Sequence, residues 1–347
     1  MQALVKEISL QKNYLAKDEE IESVYFGGGT PSLLTSAEVM QIMDALHQQF
    51  TIVDKAEITL EANPDDLSQQ MIQELAKTPI NRFSVGIQSF NDKDLKWMNR
   101  AHTAQQANQS IALLKQAGYT NITIDLIYGT PTLSNEEWKN NLNKAFVLDV
   151  QHISAYSLTV EDKTALAHMV QKGSKENVDE NKTAQQFEIL LQAMKDNNFI
   201  QYEISNFCKE GYYSKHNSSY WLKSHYLGLG PSAHSYNGHS RQWNVANNVK
   251  YIKALNNTSL DYEKEELTAE QRFNEYILTA LRTIWGIDLN YVSATFNKHF
   301  ASHLEQAMQT YLLSEHLYVH ENKILLSDKG KLIADSISSD LFVLENN

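Results

Sequence analysis

The chain has 347 residues, 42% of them hydrophobic, which is enough to bury a sizeable core and is not the composition of a disordered polymer. A formal net charge of −12 gives no overall attraction to nucleic acid or to an anionic membrane surface. The single cysteine, Cys208, excludes a disulfide framework and fits a reducing cytoplasm, and no apolar run reaches the length of a membrane span.

The elements follow in chain order. Leu4, Ile8, Gln11 and Leu15 share one helix face, with Val5 beside it. Val24-Tyr25-Phe26 reads as a short buried strand that runs into Gly27-Gly28-Gly29. Thr35 opens a helix as a capping box with Glu38, and Val39, Ile42, Met43, Leu46 and Phe50 form its apolar face. Ile58-Thr59-Leu60 is a strand, Leu67 to Lys77 a helix, and Phe83-Ser84-Val85 a strand. Thr103 and Gln106 box the next helix, which stops at Gly118, a C′ glycine. Ile122 to Ile127 is a strand, Ser134 and Glu137 box a helix, and Ile153 to Leu158 is a strand. Strand and helix alternating in this way predict βαβ units and a parallel sheet, an α/β class.

Farther on, Asp179 to Asp196 reads as a long amphipathic helix with Phe187, Leu190, Leu191 and Met194 inward, and Tyr202 to Phe207 as a strand. Residues 212–243 are rich in Tyr, His and Gly. From 267 onward, helices precede Tyr318-Val319, a polar turn at Glu321-Asn322, and Ile324-Leu325-Leu326, with a last helix near Asp328. Helices followed by a hairpin predict a winged-helix-like domain. The expected organisation is a (β/α) segment over 1–160, its completion over 161–265, and the C-terminal domain over 266–347.

In a parallel (β/α) arrangement ligands gather at the C-terminal strand ends. Five sequence signals fall there: Gly27-Gly28-Gly29-Thr30-Pro31, Glu61-Ala62-Asn63-Pro64, Gly86-Ile87-Gln88-Ser89-Phe90, Asn99-Arg100-Ala101 and Asp125-Leu126-Ile127-Tyr128-Gly129. The triple glycine lets backbone approach a ligand, or is a plain βα turn; it is no phosphate loop, because no Gly-Lys-Ser/Thr follows. Glu61 suits a hydroxyl or an amine, or is solvated. Gln88 both donates and accepts, and otherwise caps a loop. Arg100 suits a carboxylate, and otherwise makes a surface ion pair. Asp125 is a charge inside an apolar strand and requires a partner or a function.

These signals, in this order and spacing, resemble the S-adenosylmethionine (SAM) site of radical-SAM enzymes of the oxygen-independent coproporphyrinogen III oxidase family. The resemblance implies a partial parallel (β/α) barrel and a SAM pocket made by Gly28, Gly29, Thr30, Glu61, Gln88, Arg100 and Asp125. His216-Asn217-Ser218-Ser219-Tyr220-Trp221 resembles the H-N-x-x-Y-W signature of the HemW heme-chaperone branch, and Tyr226-Leu227-Gly228-Leu229-Gly230 with Ala233-His234-Ser235 fits the same branch. That branch implies heme binding and transfer to an acceptor protein. His216, Asn217, Tyr220 and Trp221 are then the heme candidates, and His216 is alternatively a structural histidine. His225, His234 and His239 are further ligand candidates without the pairing of a zinc site. Gly228 and Gly230 read as a packing turn.

The family holds a [4Fe–4S] cluster with three cysteines in a C-x-x-x-C-x-x-C loop that follows a first strand, and this sequence has no such loop. The expectation is a chain that starts after that strand and loop, or else a cluster-free SAM-binding paralogue. Either form is expected to be inactive in radical chemistry, with no metal site of its own and with an open sheet edge that favours a homodimer. Competing functions are coproporphyrinogen oxidation and a winged-helix regulator; the absence of a basic run in 263–347 opposes the second.

Overall fold

The computed structural model describes residues 1–344. Seven strands, β1 (Glu20–Phe26), β2 (Thr51–Ala62), β3 (Arg82–Gln88), β4 (Ile122–Tyr128), β5 (His152–Ser157), β6 (Ile200–Gln201) and β7 (Asn206–Cys208), form one sheet in the order β1-β2-β3-β4-β5-β7-β6. The pairs β2–β3, β3–β4 and β4–β5 are parallel, whereas β7 pairs antiparallel with both β5 and β6. Ile122, Ile124 and Leu126 on β4, and Ile153 and Ala155 on β5, share one face of the sheet and are almost fully buried, whereas Asp125 and Ile127 on the opposite face are half-buried.

The chain forms two compact units that interleave along the sequence rather than following consecutive segments. One comprises Tyr25–Ser36 and Glu57–Ser214; the other comprises Met1–Val24, Ala37–Ala56 and the chain from Lys215 onward.

In the strand-bearing unit two of the predicted capping boxes are present. Thr103 and Gln106 close one at the start of Ala104–Gln116, and Ser134 and Glu137 close another at Asn135–Val147. The helix Glu180–Asp196 begins at an Asp179 cap and buries Phe187, Leu190 and Met194, while Leu191 is only half-buried. A short helix, Asp92–Trp97, escapes the sequence reading because two turns are too brief to show a period. The single strand expected over Tyr202 to Phe207 is instead a tight reversal. Tyr202 N–H bonds the Asn206 carbonyl at 3.1 Å, and Glu203 and Asn206 turn their side chains to each other.

The other unit carries two small antiparallel sheets. Strands β8 (His234–Tyr236), β9 (Ser240–Asn244) and β10 (Tyr262–Glu266) order as β10-β9-β8. Strands β11 (Ile287–Asp288), β12 (Leu317–His320) and β13 (Lys323–Leu326) order as β11-β13-β12. The β12–β13 turn sits at Glu321 and Asn322, both at positive φ (48° and 60°), which is the hairpin turn expected there. Helices Ala269–Leu281 and Lys298–Ala307 precede it, giving the winged-helix-like order. Gly228 is a packing position: an added Cβ would lie 2.2 Å from the His234 carbonyl oxygen. The helix Gln2–Leu10 is anchored through fully buried Glu7, which accepts hydrogen bonds from Gly230 N–H (2.8 Å), Asn244 and Tyr251.

Candidate functional site

Strand register builds the first site. Glu61 pairs with Ser84 across β2–β3, and Asp125 pairs with Ser154 across β4–β5. Register partners project to the same face, so residues far apart in sequence meet at the C-terminal strand ends. Pairing of β3 with β4 runs regularly to Val85↔Ile124 and resumes only at Gln88↔Leu126, so β3 bulges at Gly86-Ile87. Gln88 leaves the bulge at φ +64°, a conformation L-residues rarely adopt and one that often marks a functional position.

The glycines act differently from the simple expectation of backbone approach. At Gly27 an added Cβ would lie 2.6 Å from the Tyr25 ring and 3.2 Å from a Glu61 carboxylate oxygen. At Gly86 it would meet Gln88 Nε2 at 2.9 Å and Arg100 Nη2 at 3.3 Å. Both glycines therefore make room for the site's own side chains. Gly28 and Gly29, at φ +72° and +68°, have open space around them.

Glu61 is held at both oxygens: Tyr25 OH donates to Oε1 at 2.7 Å and Gly28 N–H donates to Oε2 at 3.2 Å. Asn99 (φ +58°) ends the preceding helix and turns Arg100 back, so that its Nη2 donates to Asn63 Oδ1 at 2.8 Å and to the Gly86 carbonyl at 3.4 Å. Asp66 gathers the two loops, accepting from Ser32 Oγ at 2.6 Å and from Asn63 Nδ2 at 3.2 Å. Burial pushes the Asp125 carboxyl up to about 6; the nearby Glu61 charge adds to this, while the Ser154 and Ser84 hydroxyls oppose it. Buried His102 braces the bulge through Nε2 and the Ile87 carbonyl at 3.0 Å, and burial lowers its pKa. Gln88, Glu61, Arg100 and Asp125 are thus brought together with Gly28, Gly29 and Thr30 in one unit. Sequence reasoning missed Tyr25, Ser154, Asp66 and His102. Of these, His102 was signalled by its place two residues after Arg100.

These residues fit SAM. Two open glycines at positive φ, carboxylates for hydroxyl and amine groups, and a guanidinium for a carboxylate match its functional groups. The chain's own residues do not fit a cubane. Its one thiol, Cys208 on β7, is fully buried and pushed up to about 12 by burial. Among the described residues no group of three His, Cys, Asp or Glu side chains is disposed to hold a metal ion.

The second cluster lies in the other unit, on the helix Lys215–Trp221. Residues four apart share a helix face, and His216 Nε2 lies 3.1 Å from Tyr220 OH. Its Nδ1 lies 3.1 Å from Ser23 Oγ, so both ring nitrogens have partners. Tyr220 is 42% exposed. Half-buried Trp221 lies 5.6 Å from the Arg282 guanidinium, and Asn217 is half-buried. The other histidines are spread out: His225 pairs with Glu19 at 2.9 Å, and His234 stacks on Trp243.

The radical SAM superfamily model matches residues 5–145, the span that holds the strand-end site. The heme chaperone HemW of Lactococcus lactis is 33% identical over 92% of this chain and 84% of its own length. That of Bacillus subtilis is 31% identical over 94% and 87%. The chain belongs to the HemW-like branch of the radical-SAM family. The solved coproporphyrinogen III oxidase of Escherichia coli, described as a radical SAM enzyme, superposes with a TM-score of 0.83 at 18% identity, over 99% of this chain and 82% of that one. At that identity the match speaks for the fold, which is the partial (β/α) radical-SAM type with its C-terminal helical domain. As a member of the HemW-like branch, this chain carries the H-N-x-x-Y-W residues on an ordered helix and the SAM-type residues on strand ends. No helix among the described residues is long and apolar enough to cross a membrane.

Proposed function

We propose that this protein binds heme at the helix Lys215–Trp221 and hands it to an acceptor protein, and that the strand-end site holds SAM. The observation that carries the first half is the pairing of half-buried His216 with exposed Tyr220, a histidine and a phenol on one helix face, with Trp221 next to them in the chain. HemW relatives named as heme chaperones support it. His216 Nε2 is the proposed iron ligand. Ser23 fixes the other nitrogen, and Tyr220 must swing aside to release Nε2. A ligand site that opens by one tyrosine rotation suits a carrier, which must release what it binds.

In the strand-end site Glu61 and Gln88 would take ribose hydroxyls, Arg100 the carboxylate, and Gly28-Gly29 the close approach. Asp125 would accept from a further hydroxyl or the amine. SAM bound there would supply a sulfonium centre. The coproporphyrinogen-oxidase reading draws only on fold, because the superposition is at 18% identity.

Titrating the purified chain with heme, followed by visible absorption, tests the carrier reading. A saturable, stoichiometric shift that His216→Ala weakens supports it. No saturable spectrum would overturn it. Calorimetric titration with SAM tests the second half, and heat that Arg100→Ala leaves unchanged would overturn the site assignment.

A further inference from the structure

From His216 a strip of rings runs across the unit. Tyr220 meets His216 at 5.1 Å between centroids, Tyr226 meets Tyr220 at 4.8 Å, and Tyr236 meets Tyr226 at 6.2 Å. Cations stand at its far side. The Arg241 guanidinium lies 5.9 Å from the Tyr236 ring, and Arg241 Nη2 pairs with Glu275 at 3.1 Å. Lys223, two residues beyond the helix that bears His216, stretches its amine over the Tyr276 ring at 4.5 Å and donates to the Arg272 carbonyl at 3.4 Å.

Two features set Lys223 apart. Its backbone is at φ +60°, a left-handed conformation that glycine would occupy more easily. Its amine is half-buried, with a single long hydrogen bond to a neutral carbonyl. Burial lowers the amine to about 8, with Arg272 adding to the effect and Glu275 opposing it. The neighbourhood also has more donors than acceptors. Arg241 Nε, Arg282 Nε and Trp221 Nε1 are buried without a hydrogen-bond partner; Arg282 pairs with Asp335 through its other nitrogen, and Lys223 and Arg241 share Glu275. Lys223, Arg241 and Arg272 against Glu275 and its neighbour Glu265, which lies in register with Arg241, leave a formal excess of one positive charge. An anion arriving beside Lys223 would be met by a desolvated cation, where charge-assisted hydrogen bonds are strongest.

We propose that Lys223 and Arg241, with Arg272 behind them, form a carboxylate-binding subsite for a flat amphipathic dicarboxylate whose ring lies along the strip from His216. This rests on the heme reading above, in which the two carboxylates are the porphyrin's propionates. The pair of cations sets which edge of the ring enters and distinguishes the free acid from neutral porphyrins.

The experiment is a pair of absorption titrations, with heme and with its dimethyl ester, in the same detergent-containing buffer. The ester keeps the iron and the ring and removes both negative charges. Heme is expected to bind at least tenfold more tightly than the ester. Lys223→Gln and Arg241→Gln are each expected to weaken heme severalfold while leaving the ester unchanged, and Lys223→Arg is expected to retain most of the preference. The Arg241 side chain is 41% exposed, so its variant tests the subsite even if Lys223→Gln disturbs folding. Equal affinity for heme and ester would overturn the subsite and leave the heme reading standing. Binding of neither compound would overturn the heme reading and the subsite with it.

Discussion

The strand-end site and the histidine helix are built by opposite means. The first collects Glu61, Gln88, Arg100 and Asp125 from separate strands and loops through parallel register and one bulge. The second is six consecutive residues on one helix, in which i,i+4 spacing alone joins His216 to Tyr220. Their chemistry differs as well. The strand-end site sets Glu61 and Asp125 beside Tyr25, whereas the helix has rings and cations around it. A site made by register is rigid and intolerant of added volume. A site made on a helix surface is tolerant and can open by side-chain rotation. Substitutions in each region should show that difference.

The largest effect is expected at Gly27. Gly27→Ala places a methyl group 2.6 Å from the Tyr25 ring, against both that ring and Glu61. Overpacking of this kind costs about 1–3 kcal/mol, and the Tyr25–Glu61 hydrogen bond is displaced with it. SAM binding should disappear from calorimetry while circular dichroism still reports a folded chain. Normal SAM affinity in Gly27→Ala would mean that the strand-end site is as pliable as the helix.

Asp125→Asn comes next. Removing a charged acceptor should weaken SAM by about 1.5–3 kcal/mol. The stability of the unliganded protein should move the other way. The folded-state pKa of Asp125, about 6, lies above the ordinary carboxylate value, so the folded form holds the proton more tightly than the unfolded form does. That contribution is fully present at pH below about 4 and is lost as pH rises through about 6. Asp125→Asn should therefore unfold at a higher temperature than the parent at pH 7.5 and gain little at pH 4. Melting curves at the two pH values decide it, and a destabilised variant at pH 7.5 would make Asp125 a structural residue.

Tyr220→Phe should do little to the fold, since it removes one exposed hydrogen bond worth about 0.5–1.5 kcal/mol. It also removes the phenol that hydrogen-bonds His216 Nε2, so heme should bind severalfold more tightly by absorption titration. Weaker binding would make the phenol, not the imidazole, the group that matters. The smallest effect is expected for Ser154→Ala, which removes a hydroxyl that holds the Asp125 carboxyl down. The titration of Asp125, followed by carbon NMR of its carboxyl, should shift upward, with a slightly lower melting temperature at pH 7.5, where the carboxyl is ionised.

The helix site was legible because its information is local. Six adjacent residues resemble a known signature, and helical spacing then follows from the chain itself. The (β/α) alternation was legible for the same reason: caps such as Thr103–Gln106 and Ser134–Glu137, and the buried β-branched runs of β4, are read within a few residues. The seven SAM-type positions were read as motifs expected at strand ends, although Arg100 in fact follows the helix Asp92–Trp97, and Asp125 stood out on physics because a charge interrupts an apolar strand.

What the sequence determined by itself was therefore the α/β class, the parallel strands and most helix boundaries, and it supplied the candidate residues proposed for both sites. What only the tertiary structure decided was which groups touch them. Ser154 reaches Asp125 because β4 and β5 pair in one register, and no local pattern encodes that register. Gly27 and Gly86 are glycines because Tyr25, Glu61, Gln88 and Arg100 pack against them, and that closeness exists only once β1 to β3 are assembled. The Tyr202–Phe207 segment alternates like a strand yet turns, closed by Tyr202 N–H to the Asn206 carbonyl at 3.1 Å and Asn206 N–H to the Glu203 carbonyl at 3.4 Å. Lys223 is an ordinary surface lysine in sequence. Its half-buried amine lies over the ring of Tyr276, about fifty residues away along the chain, and only folding brings such distant groups within van der Waals reach.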